Sequence, residues 1–305
     1  MFERPLGLVL SMAVIVPIAA AANPAPAPGK LTAVEIVEKN VAARGGLQAW
    51  RGVQTMVWSG KMGAGGNQRA ALPVTNAAVK ATQKTLPQRP AEEVQLPFTL
   101  DLKRSRKMRL ELEFNGKTQL QVYDGTNGWK LRPYLNRLDV EPFTDAEKMS
   151  ASLNNDLDGP LVDYAAKGTR VELESTEEVE GRSNYKLKLT MKDGHATHVW
   201  IDAETFLETK IEGQPRRLDG ADHPVELYYR DYRPVSGLQI PYVLEVKVLP
   251  ITRTATGLKD PAVPIEKMII EKVSVNPKLD DSLFAKPMVT AASNISANPA
   301  QPAHN

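Results

Sequence analysis

KRSRKMRLELEFNGKTQLQVYDGTNGWKLRP, residues 103–133, decides the fold class. Met108, Leu110, Leu112 and Phe114 alternate with Arg109, Glu111 and Glu113, a period of two that a half-buried strand explains and a helix does not. Asn115-Gly116 supplies a two-residue hairpin turn, because both residues tolerate positive φ. The return strand, 118–124, carries Leu120 and Val122 on one face, and a turn at 124–128 starts a third strand through Trp129 and Leu131. The result is an antiparallel meander with one apolar and one wet face. Met108, Leu110, Leu112, Phe114, Leu120, Val122 and Trp129 are its candidate cavity lining, with plain core as the alternative reading.

Upstream, Thr32 and Glu35 form the T-x-x-E pattern of a capping box, followed by Val34, Val37 and Val41 at helical spacing and Gly45-Gly46 at the helix end. A first strand is expected over 55–62 and a second from Val94 through Phe98, Leu100 and Leu102. Residues 63–90, rich in Ala, Gly, Gln, Pro and Thr, read as a mobile loop between them. Downstream, Thr144 and Glu147 repeat the capping box, with Ala146, Met149 and Leu153 on one side of a second helix. Residues 157–164 read as an irregular segment, and strands then follow to residue 275. The count is ten or eleven strands joined by hairpin-length turns, with no βαβ alternation. The expected fold is mainly β with a few α-helices: one large curved antiparallel sheet, with helices lining its concave face. Two helices cannot cover such a face, and what stays uncovered is a candidate ligand cavity.

Of 305 residues, 42% are hydrophobic and 24% charged, with a net charge of +2, so a core is available and nucleic-acid binding has little electrostatic support. Arg4, the apolar run 6–18 and the alanines 19–22 read as a cleavable export signal, 1–22, followed by a Pro/Ala spacer, 23–30. The domain is expected over 31–287, with a disordered tail over 288–305. The chain has no cysteine, which excludes disulfides, thiol catalysis, cysteine–zinc sites and lipid attachment at a cysteine. An exported protein without disulfides suits a Gram-negative periplasm.

Catalytic chemistry has little support. No serine sits in a G-x-S-x-G context. Asp124 and Asp202 fall where turns are expected, so Asx-type hydrogen bonding explains them better than acid–base work. His195 and His198 lie three apart on a strand pattern and point to opposite faces, and with His223 they make no convergent metal site. The expectation is a non-enzyme without metal or cofactor.

ARGGLQAW (43–50), the 103–133 stretch, DGPLVDY (158–164), VEGRSNYKLKLTMKDG, WIDAETFLETKIEG, RDYRPVSGLQIPY and NPKLDDSLFAKP together resemble, in their order, the LolA/LolB-like superfamily, and within it the outer membrane lipoprotein-sorting branch. That resemblance implies an open half-barrel closed by a helical lid, holding acyl chains in an apolar cavity. It also implies delivery of lipid or lipoprotein cargo toward the outer membrane, with lipoprotein-handling membrane proteins as partners. A basic residue in a KRP-type turn ties sheet to lid in that family, and an apolar residue lines the cavity mouth. The matching positions here are Arg104 and Met108, with Ser105 in place of the proline and Arg106 added. The alternative is a lipid-sensing, RseB-like regulator acting through a protein contact.

Overall fold

The computed structural model describes residues 31–63, 95–133, 137–218, 220–252, 257 and 263–288. The expected export signal, the spacer, the 63–90 loop beyond Gly63 and the tail beyond Met288 lie outside the described residues. Residues Thr32–Asn305 form one compact unit.

The strands are β1 (Thr55–Gly63), β2 (Gln95–Lys103), β3 (Lys107–Phe114), β4 (Lys117–Tyr123), β5 (Gly128–Arg132), β6 (Arg137–Pro142) and β7 (Arg170–Val179). They continue as β8 (Arg182–Thr190), β9 (Ala196–Asp202), β10 (Glu208–Leu218), β11 (Ala221–Val235), β12 (Leu238–Val248) and β13 (Glu266–Val275). Among the described residues, three α-helices accompany them: α1 (Ala33–Ala43), α2 (Leu47–Arg51) and α3 (Asp145–Asn154). All thirteen strands lie in a single sheet, ordered β6-β5-β4-β3-β2-β1-β13-β12-β11-β10-β9-β8-β7. Every pairing is antiparallel and the sheet stays open, a half-barrel.

The order has a topological consequence. β6 and β7 follow one another in sequence yet form the two opposite edges. Residues 143–169 join them and must therefore cross the sheet, carrying α3 on the way. This segment sends Phe143, Ala151, Leu157 and Val162 into a cluster with Met56, Leu102, Met108, Tyr123 and Ile240. Trp50 and Val53, at the end of α2 and just beyond it, join the same cluster. The face they cover is the inner face. Gly128 is required here, because a side chain would collide with the Phe143 ring at 2.0 Å. Gly45, at φ +113°, likewise lets the end of α1 approach the Gly237 carbonyl at the β11–β12 turn.

Both capping boxes form: Thr32 and Glu35 at α1, Thr144 and Glu147 at α3. The faces differ in part from expectation. In α1 the buried residues are Ile36, Val37 and Asn40, while Val34 is exposed. In α3 Ala151 is buried and Met149 is 55% exposed, since the crossing segment lies over the sheet by that narrower face.

The sequence pattern also under-counts the strands. β6 is a short edge strand with Leu138 60% exposed, so it carries no apolar alternation. β10 and β11 run on through Gly213, Pro215 and Pro224, beside a register shift between Gly213 and Arg216.

The outer face of β2–β5 is closed by the C-terminal segment. Lys103 Nζ donates to the Leu279 carbonyl at 2.9 Å, Lys103 and Lys107 pair with Asp281 at 2.8 and 3.0 Å, and Arg109 Nη1 reaches the Leu283 carbonyl at 3.3 Å. Phe284, 1% exposed, fills the space among Leu120, Val122 and Leu131. Asp101 lies on this face, opposite Arg109. Arg109 gives its Nε and Nη2 to Glu111 instead. Burial and the nearby Glu111 charge, only partly offset by Arg109, push Asp101 up to about 6. A carboxyl whose folded value exceeds its unfolded one stabilises the fold when protonated, and that contribution is lost as pH rises from about 4 to about 6. Asp101→Asn is expected to raise unfolding free energy at pH 7.5 by on the order of 2 kcal/mol. The gain should shrink toward zero near pH 4, as read by urea unfolding across that range.

Candidate functional site

Cross-strand register fixes what the inner face presents, because directly paired residues share a side. Met108 pairs with Leu102 and Tyr123, Leu110 with Leu100 and Gln121, and Leu112 with Phe98 and Gln119. On β1, Met56, Trp58, Gly60 and Met62 extend the same rows. Met108, Leu102 and Phe98 are buried beneath the crossing segment. Trp58, Met62, Leu100, Leu110, Leu112, Leu244 and Met268 are only partly buried, so apolar inner face remains beyond the cover.

The structure splits the sequence-predicted lining into two groups. Met108, Leu110, Leu112 and Phe114 lie on the inner face. Leu120, Val122 and Trp129 do not: Leu120 pairs with Glu111 and Val122 with Arg109, on the outer face. There they pack with Leu131, Leu279, Leu283 and Phe284, so they are core under the C-terminal segment rather than cavity lining. Residues the sequence reading missed supply the rest of the inner rows, namely Trp58, Met62, Leu100, Leu244 and Met268.

Arg104 lies in the turn between β2 and β3. Its Nε donates to the Val53 carbonyl at 2.8 Å, Nη2 to the Trp50 carbonyl at 2.6 Å and Nη1 to Asp158 Oδ2 at 2.6 Å. It thus joins sheet, α2 and crossing segment. The Asp158 side chain is 3% exposed and takes a second cation, Lys167, at 2.6 Å. Its backbone carbonyl accepts from Arg44 Nη1 at 2.9 Å, and Arg44 also pairs with Glu208 and stacks over Trp50. Ser105 and Arg106 hold φ of 70° and 63°. A proline, locked near −65°, cannot adopt that turn, so the departure from a KRP pattern reflects a different turn geometry.

Other side chains that could suggest chemistry are engaged structurally. Asp124 accepts from the amides of Thr126 and Asn127, and Asp202 from those of Glu204 and Thr205. His195 lies 3.2 Å from Gln214 Nε2, His198 Nδ1 lies 2.7 Å from Glu212, and His223 Nδ1 lies 3.1 Å from the Leu249 carbonyl. Among the described residues no group of three metal-donating side chains converges. Among them, too, no helix is long and apolar enough to cross a membrane. On the outer face of β8–β13, Lys210 and Lys247 sit over Trp200 and Tyr228 at 4.1 and 3.7 Å. Each cation there has a carboxylate, as in Lys210–Glu226 and Arg230–Glu180, and the Arg230 hydrogen bond holds Glu180 down to about 2. The cations of that surface are thus engaged by carboxylates of the same surface.

A LolA superfamily protein from Nitrosomonas europaea superposes with a TM-score of 0.50 over 84% of this chain and 99% of that one, at 13% identity. The fold is LolA-like. A DUF1329 family protein from Desulfovibrio piger (TM-score 0.47, 15% identity, 83% of this chain and 97% of that one) is more distant. So is an outer membrane lipoprotein-sorting protein domain from Vibrio parahaemolyticus (0.45, 14%, 83% and 96%). No protein-family model and no curated protein matches the sequence. In this LolA-like frame the partly covered inner face and the charged contacts at Arg104 make the candidate site.

Removing one partner of a buried ion pair strands the other, so Arg104→Met and Asp158→Asn are each expected to cost about 3 kcal/mol. Because they share one contact, the double variant should lose clearly less than the sum. Hydrogen exchange is expected to rise at amides 157–164 while amides of β9–β11 keep their protection.

Proposed function

We propose that this protein binds acyl chains of lipid or lipoprotein on the inner face of its sheet, and carries or shields them in the periplasm for outer-membrane delivery. The observation that carries the reading is the band of half-buried Trp58, Leu100, Leu110, Leu112 and Met268 beside the crossing segment. Apolar side chains left partly open on the side of a sheet that helices cover give up burial free energy that a ligand recovers, at about 0.8 kcal/mol per methylene. Methionines at Met62 and Met268 suit a site that must fit chains of varied length, because Met repacks readily. The Arg104–Asp158 contact acts as the latch that holds the cover. Residues 1–22 are cleaved on export, 31–287 form the binding domain, and no cofactor or catalytic step enters the cycle.

Native mass spectrometry of protein purified gently from a periplasm tests this. A co-purifying lipid or acylated peptide is expected, and Leu112→Glu should abolish it by placing a charge on the inner face. Leu120→Ala, on the outer face, should lower stability by about 2–4 kcal/mol yet keep the bound species. A clean unliganded mass with no uptake of added lipid overturns the proposal.

A further inference from the structure

The inner face changes chemistry from strand to strand. One cross-strand row runs Val273, Trp58, Leu100, Leu110, Gln121, Lys130. The next runs Ile270, Gly60, Phe98, Leu112, Gln119. Arg132, two residues beyond Lys130 on β5, lies on the same side by alternation. Lys117 ends a third row, opposite Phe114. The face is thus apolar across β13, β1, β2 and β3, carries amides on β4 and turns cationic on β5 and at the start of β4. From β5 to β1 is roughly 20 Å at about 4.8 Å per strand, on the scale of a long acyl chain.

The cationic end is not fully used within the protein. Lys130 is paired with Glu147 of α3 at 2.5 Å. Arg132 gives Nη2 to Glu141, but its Nε is buried and meets no acceptor among the described residues. A guanidinium donor buried without a partner is costly, and because the Arg132 side chain as a whole stays 24% exposed, an anionic oxygen can approach the guanidinium without breaking the Glu141 pair. Lys117 Nζ reaches the Pro133 carbonyl at 3.4 Å and is otherwise at the surface.

We propose that the site is polar in its orientation. It takes an acyl amphiphile with an anionic oxygen headgroup, carboxylate or phosphate, placing the headgroup at Arg132 and Lys117 and the tail across β3, β2 and β1. This rests on the acyl-chain reading above and adds the class and direction of the ligand.

The test is binding of palmitate, hexadecyl phosphate and hexadecanol to the full mature chain, measured by displacement of a fluorescent fatty acid below micelle-forming concentrations. The wild type is expected to hold one or both anions about tenfold tighter than hexadecanol, a preference that weakens with salt. Arg132→Gln should bring the anions down to the hexadecanol level and leave hexadecanol unchanged. Lys117→Gln, at an exposed position where folding is not at stake, should cause a smaller loss in the same direction. The ratio of palmitate to hexadecyl phosphate then tells a carboxylate source from a phosphate one. Equal affinity for all three probes in the wild type overturns this inference alone, as does a uniform loss in both variants. Binding of none of them overturns the acyl-chain reading and this inference together.

Discussion

The two edges of the sheet, β6 and β7, are consecutive in sequence, and everything on the inner face follows from that constraint. Residues 143–169 have to cross from one edge to the other, so the sheet carries a cover made of its own connection. The cover contributes no strand to the ladder. Its displacement therefore breaks side-chain packing and a few charged contacts while leaving the cross-strand hydrogen bonds intact. Local opening of such a segment costs less than global unfolding, and its cost combines the apolar packing of Phe143, Ala151, Leu157 and Val162 with the contacts that Asp158 makes to Arg104 and Arg44.

Those contacts are ionic where an apolar patch of similar volume would give comparable stability. The difference is in direction. Arg104 has three acceptors on two separate elements, and Lys167 from within the cover holds the Asp158 carboxylate that meets it, which orients the cover against α2 and the β2–β3 turn. The left-handed Ser105 and Arg106 form the turn beside Arg104, which reaches α2 and the crossing segment. Opposite, the outer face of the same strands is sealed by Phe284 and the lysine contacts of the C-terminal segment. One sheet thus has an outer side packed against the C-terminal segment and an inner side whose cover is held by apolar packing together with a small set of polar contacts.

Much of this was legible in the sequence. Alternation at Met108–Phe114 announced a strand, and the two capping boxes placed both longer helices, because each signal is local. Even the division of the lining was latent. A two-residue turn at Asn115–Gly116 pairs Phe114 with Lys117, hence Leu110 with Gln121, and so puts Leu120 on the other side. What no local pattern could reveal was that a second apolar environment existed there, supplied by Leu279, Leu283 and Phe284 from the far end of the chain. Trp58 escaped the sequence reading for a similar reason. Its neighbours Met56 and Gly60 define no face until β2 is paired beside them. The edge strand β6 stayed hidden because an edge that must avoid pairing with other chains carries charge rather than alternation.

The magnitudes connect cover and cargo. Removing one partner of the buried ionic contacts costs about 3–5 kcal/mol because the other charge is stranded, and opening the cover also exposes Phe143, Ala151, Leu157 and Val162. On the acyl-chain reading, a long chain gains roughly 0.8 kcal/mol for each methylene it buries. Methylenes taken up by the face around Leu110 and Leu112 would offset both the ionic contacts and the re-exposed apolar side chains of the cover. A short or polar solute has fewer methylenes to contribute. On that reading a ligand shifts the cover only by as much as it prefers the open face to the closed one.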